Sequence, residues 1–195
     1  MPFSPVKPKN TRRSRKHFVN KNTTTKLDLS SPLKNHTSAK RQHTSYELLD
    51  KFNRKTYLSW KGRCLAERKE LGIGKSQQMN TLFRFWSVNL RNHFNRSMYG
   101  EFKSLALEDS KEGDNYGLQC LFRYYSYGLE KEFRMNVFVD FQELVLERYL
   151  QSKDLYGVEK LRAFVTYYKG DIPSMKHEVQ EILNEYPTLD CFKKN

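Results

Sequence analysis

From about Thr44 onward, apolar residues recur at three- and four-residue intervals and almost never alternate strictly, so the folded part of the chain is predicted to be helical. The first long stretch runs from about Arg54 to Leu71 and ends at Gly72 and Gly74, residue types that close helices in left-handed backbone. Upstream of it, Thr44-Ser45-Tyr46-Glu47 has the form of a capping box. In the middle of the chain Leu118, Leu121, Phe122, Tyr125 and Leu129 stand at i, i+3, i+4, i+7 and i+11, the stripe of a helix that packs into a core. Ser76, Asn136 and Asp154 are predicted as helix N-caps and Gly113 and Gly170 as helix ends, while Pro173 and Pro187 bracket the last long helix.

The pattern repeats itself. MNTLFRFWSVNL from Met79, LQCLFRYYSYGL from Leu118 and VEKLRAFVTYYK from Val158 align without gaps at steps of 39 and 40 residues. A second segment follows each copy, EFKSLALED from Glu101, DFQELVLER from Asp140 and EVQEILNEY from Glu178, and these align as well. A helix-turn-helix unit at this period predicts an all-α fold of three HEAT-like repeats over residues 44–195, each unit covering its neighbour's apolar face.

On the middle repeat, Arg123, Ser126, Tyr127 and Glu130 lie roughly opposite the core stripe. Their equivalents are Arg84, Ser87, Val88 and Arg91 in the first repeat and Ala163, Thr166, Tyr167 and Gly170 in the third. Stacking the repeats would place two tyrosines, a carboxylate and three arginines on one surface. Two aromatic faces suit a cationic base, a carboxylate suits the N1 and N2 hydrogens of guanine, and arginines suit phosphate oxygens. The competing reading is that these residues serve as packing between neighbouring repeats.

Charge adds a second feature. Of the net +13, residues 1–45 carry +10, from 11 Lys or Arg and the single acid Asp28. That segment also holds four of the six prolines and, as aromatics, only Phe3 and Phe18, so residues 1–43 are expected to form a disordered basic tail suited to RNA, acidic proteins or anionic surfaces. Cys64, Cys120 and Cys191 are too dispersed for a disulfide framework or a zinc site, and no apolar run reaches the length of a membrane span. The expectation is a cytoplasmic protein.

Longer strings around these residues carry a resemblance. GIGKSQQMNTLFRFWS from Gly72, FKSLALEDSKEG from Phe102 and YGLQCLFRYYSYGLEKEFR from Tyr116 resemble the C-terminal cap-binding region of the La-related protein 1 family, and the likeness runs from about Tyr46 to Phe192. The resemblance implies a domain that binds the 7-methylguanosine cap and the adjoining 5′-terminal pyrimidine tract of messenger RNA and regulates its translation or stability. It implies that Tyr127 and Tyr167 sandwich the methylated base and that Glu130 reads its edge, with Ser126 in support. Arg84 and Arg91 would meet the phosphates, and Arg123 the first transcribed nucleotide. Two departures stand out. Val88 occupies a position that is aromatic in the family pattern, which puts first-nucleotide preference in question. The stretch before the repeats has no likeness to a La module, so a short relative lacking La-type contacts is expected.

Other signals point elsewhere and are weaker. Gly74-Lys75-Ser76 lacks the earlier glycine and the strand of a phosphate-binding loop. His93 and His177 have no acid and nucleophile at matching spacing, and the acidic pairs Glu108-Asp109 and Glu112-Asp114 read as a solvated helix end. Ser4-Pro5 and Ser31-Pro32 are candidate phosphorylation sites. The expectation is a monomeric, non-enzymatic RNA-binding protein without cofactor or metal, whose partner is capped mRNA. The alternative is a helical-repeat scaffold for protein segments, with nonspecific RNA binding by the tail.

Overall fold

The computed structural model describes residues 53–193. The basic tail, its Ser-Pro pairs and the Thr44 capping box lie outside the described residues. Among the described residues seven helices follow one another: α1 (Arg54–Leu71), α2 (Gln77–Asn92), α3 (Arg96–Lys111), α4 (Tyr116–Lys131), α5 (Met135–Ser152), α6 (Leu155–Tyr167) and α7 (His177–Glu185), then a 3-10 turn at Leu189–Phe192. Among the described residues there is no strand. The first helices of the three repeats, α2, α4 and α6, pack side by side, and α3, α5 and α7 back them. Each second helix also reaches the following unit, α3 packing on α4 and α5 on α6, which ties the units into one HEAT-like array.

Local signals start and stop most helices where the sequence places them. Asn53 opens α1 by accepting from the amides of Lys55 and Thr56, and Gly72 closes it at φ 90°. Ser76 caps α2 through the Met79 amide and Asp154 caps α6 through that of Tyr156. Asn95, which the sequence reading passed over, caps α3 through Met98. Two expectations are corrected. The residue before α5 is Arg134, extended and without a side-chain cap bond, so Asn136 sits inside the first turn. Helix α6 ends at Tyr167 because Tyr168 leaves helical conformation at ψ 131° and stacks on Phe164 at 5.0 Å; Gly170 therefore lies beyond the helix it was expected to end.

The predicted stripe is the core: Leu118, Leu121, Phe122, Tyr125 and Leu129 are all at most 1% exposed. Tyr125 keeps its hydroxyl satisfied at 3.2 Å from that of Tyr99, which also donates to Asp140. The repeat register is set by a recurring knob and socket. Phe83 of α2 presses its ring on Gly117 of α4, and the equivalent Phe122 of α4 presses on Gly157 of α6; a Cβ at Gly117 would meet ring carbons at 2.8 Å, and one at Gly157 at 2.7 Å. Both glycines are buried near helix starts, and the rings that meet them, Phe83 and Phe122, are themselves fully buried. Gly157→Ala should therefore cost about 1–3 kcal/mol through overpacking. A chemical denaturation curve indistinguishable from wild type would show that α4 and α6 tolerate a wider spacing.

The acidic helix end is only half solvated. Glu112 is exposed, but Asp109 is 1% exposed and receives Arg68 of α1 through Nε at 2.9 Å and through a second guanidinium nitrogen, while Glu108 approaches the same guanidinium at 3.1 Å. With Lys61 to Glu101 at 2.7 Å, this pair fastens α1 to α3 at two levels. Asp109 is thus a tertiary clamp rather than part of a solvated end.

Candidate functional site

Three helices supply the surface, and their packing explains its order. Because α2, α4 and α6 lie side by side, residues a repeat apart become neighbours. Tyr127 stands on α4 with 43% of its surface exposed, and Tyr167 ends α6 with 56% exposed. Neither ring is sealed in the interior. Among the described residues no ring contact joins them.

The face of Tyr127 already carries a cation. The guanidinium of Arg91 lies 4.6 Å from the ring centroid, and Arg91 is steered there by its own helix, its Nε donating to the Ser87 carbonyl at 2.8 Å and a terminal nitrogen to Ser87 Oγ at 3.3 Å. Burial pushes the Arg91 pKa down; Tyr127 and Glu130 oppose that push and the neighbouring Arg123 adds to it. A guanidinium so desolvated and crowded by another gains most from an anion.

Arg84, Arg91 and Arg123 converge around the buried Cys120 thiol, each acting on it electrostatically, and Arg123 donates to its sulfur at 3.4 Å. The thiol pKa is pushed up by burial, with the three arginines pulling it down, so Cys120 is a neutral floor beneath a cationic patch. The wide spacing of the three cysteines gives no hint of this place; the signal that the sequence does carry is that Cys120 stands one turn before Arg123 on α4.

Glu130 is partly buried, and its pKa is raised by that burial, with a hydrogen bond from Ser126 Oγ at 3.4 Å and the charge of Arg91 pulling it back. Ser126 itself is 1% exposed. It was expected to present with its three neighbours on the surface, but the flanking helices bury it, and it faces Glu130 from below. Val88, at the equivalent place on α2, is partly buried and offers an aliphatic rim where Tyr127 and Tyr167 offer rings. Gly170, the third-repeat counterpart of Glu130, is off the helix and exposed, and Ala163 and Thr166 bring no charge.

The set-aside signals have local explanations. The Ser76 hydroxyl is committed to the Met79 amide and to Glu67, which leaves Gly74-Lys75-Ser76 a turn entering α2. His93 is the residue after α2, and His177 is exposed beside Glu181 at 3.6 Å. Among the described residues no group of three or more His, Cys, Asp or Glu could hold a metal ion, and no helix is long and apolar enough to cross a membrane.

A two-layered array of helix pairs with one cationic, aromatic-edged face defines a HEAT-repeat module. Residues 43–190 match the family model of the LARP1 HEAT repeat region, and the chain belongs to that family.

Proposed function

We propose that this chain recognises the 7-methylguanosine cap of messenger RNA together with the first nucleotides after it, and thereby regulates the translation or stability of the messages it holds. The observation that carries the reading is the exposed Tyr127 ring, whose face holds the Arg91 guanidinium beside Glu130 and above the arginine cluster. A methylated guanine is a planar cation and makes the same kind of contact, with Tyr167 as the second wall. Glu130 accepts from N1 and N2 of the base. Arg91 and Arg84 receive the phosphates, and Arg123 the first nucleotide. Family membership supports the reading, since the residues matched include every one of these. No step calls for a cofactor or for bond making, and a monomer suffices.

Ionised Glu130 is the form that accepts hydrogen bonds from guanine. Since burial raises its pKa in the free protein, lowering the pH through that raised range protonates Glu130 and removes the acceptor. Cap affinity should therefore fall on the acid side, beginning above the usual glutamate range, and Glu130→Gln should bind weakly with a flat profile over the same interval. Titration of a cap analogue at several pH values checks this, and a wild-type profile as flat as that of the variant would remove Glu130 from the recognition of the base.

Whole-strand binding provides the test of the reading itself. Capped oligonucleotides should bind far better than the same strands with an unmethylated 5′ triphosphate, and those starting with cytosine and with adenine should differ little, because Val88 gives the first base no ring to stack on. Equal affinity for capped and uncapped strands would favour the protein-scaffold reading.

A further inference from the structure

A cavity of about 360 Å³ opens between the N-terminal turns of α4 and α6, with Gln119, Arg148, Asp154 and Tyr156 around a floor that includes Phe122. Two of its polar atoms are buried without a hydrogen-bond partner, Arg148 Nε and Tyr156 Oη. Asp154 does not satisfy the first: its carboxylate is 3.8 Å from Nε, beyond hydrogen-bond reach, and its other oxygen is spent capping α6 at the Tyr156 amide. Buried donors are almost always paired, so two unpaired donors in one cavity call for an acceptor from outside the chain.

Comparison between repeats sharpens the point. Tyr116 holds in the second repeat the place that Tyr156 holds in the third, and one turn on from it stands Cys120, whose sulfur is a weak acceptor. The residue one turn beyond Tyr156 is Lys160, whose ammonium lies over the Tyr156 ring, 5.0 Å from its centroid. The third repeat therefore has no sulfur at that place, and Lys160, paired with Glu159 at 2.6 Å, stands beside the buried, unpaired hydroxyl. The cavity also adjoins the cationic face: Gln119 stands one turn before Arg123 on α4, and Arg123 and Tyr127 both act electrostatically on Tyr156.

We infer that this cavity receives the nucleotide that follows the one at Arg123, with Tyr156 Oη and Arg148 Nε donating to oxygen acceptors on its phosphodiester or base edge. The inference rests on the cap reading above and extends it toward the N-terminal ends of α4 and α6. Arg123, Arg148 and Lys160 outnumber the two carboxylates beside them, Asp154 at 3.8 Å from Arg148 and Glu159 at 2.6 Å from Lys160, which leaves a net positive path that suits a continuing strand and gives a mononucleotide cap nothing further to touch.

The test uses the full chain and two probes, 7-methylguanosine triphosphate and a short capped oligonucleotide. Tyr156→Phe keeps the ring packed on Phe122, 6.2 Å between centroids, and removes only the hydroxyl. Arg148→Lys keeps the charge and removes Nε. Each variant should bind the mononucleotide as wild type does and lose about three- to tenfold on the oligonucleotide, the worth of one hydrogen bond to a polar or charged partner. Wild-type affinity of both variants for the oligonucleotide, with preference for the methylated mononucleotide intact, would overturn the assignment of the cavity alone. Failure of the wild-type chain to distinguish the methylated from the unmethylated mononucleotide would instead bring down the cap reading, and this inference with it.

Discussion

Replacing Tyr127 by alanine should lower the affinity for 7-methylguanosine triphosphate by about thirty- to several-hundredfold. Stacking of a base on an aromatic side chain is worth about 1–3 kcal/mol, and attraction of a cation to the ring about 0.5–2 kcal/mol, so the two together account for a loss of this size. The substitution also takes from Arg91 the ring on which its guanidinium rests, 4.6 Å from the centroid, and so loosens a phosphate contact. Tyr127→Trp, which keeps a flat electron-rich face, should retain most of the affinity. Because Tyr127 is 43% exposed and outside the core stripe, the alanine variant should lose only about 1 kcal/mol of stability, the worth of the ring's contact with Arg91. Equilibrium titration and a denaturation curve on the same preparation separate the outcomes. A large loss of stability with little loss of binding would make the ring a packing element between repeats.

The second large effect concerns stability. Arg68→Ala should destabilise the array by about 3–5 kcal/mol, because it leaves the Asp109 carboxylate, 1% exposed, without its charged partner. Burial already pushes the Asp109 pKa up, with Arg68 pulling it down, so removing the guanidinium raises it further. A carboxyl whose folded pKa exceeds its unfolded value is stabilised by protonation, and its penalty grows as pH rises through the interval between the two. The deficit of Arg68→Ala should accordingly be largest at neutral pH and shrink in acid. Urea denaturation at two pH values measures it. A deficit below about 1 kcal/mol at neutral pH would show that α1 is held to α3 by its apolar contacts and by Lys61 with Glu101, and that the buried pair contributes little.

The repeats were legible in the sequence because each unit must bury the same face against the next, so Phe83 and Phe122 recur together with the glycines they press on. The core stripe of α4 was legible for the same reason. What escaped were features set by neighbours distant in sequence. Ser126 falls opposite the core stripe by helical angle, yet flanking helices cover it, since a helix inside an array has two packed sides as well as a buried back. Asp109 looks like any acid near a helix end until Arg68, 41 residues away, is brought to it. The true start of α5 and end of α6 were hidden for another reason. Arg134 has no side-chain cap bond, and Tyr168 leaves the helix with its ring stacked on Phe164, so tertiary packing decides both boundaries where the sequence offers an Asn and a Gly nearby. Of the candidate site, Tyr127, Tyr167, Glu130 and the three arginines are legible as positions on helix faces, whereas the packing of α2 beside α4 is what brings Arg91 onto the Tyr127 ring and the arginines around Cys120.

Calorimetric titration of the full chain with 7-methylguanosine triphosphate and with guanosine triphosphate, at one ionic strength, separates recognition of the methylated base from general affinity for phosphate. The two ligands carry the same phosphates, so the arginines and the basic N-terminal residues meet the same charge in both, and the added positive charge of the methylated base is felt where the base sits, by the faces of Tyr127 and Tyr167 and by the Glu130 carboxylate. The methylated nucleotide should bind clearly more tightly, as a cation held between two aromatic faces. Equal affinities would contradict it.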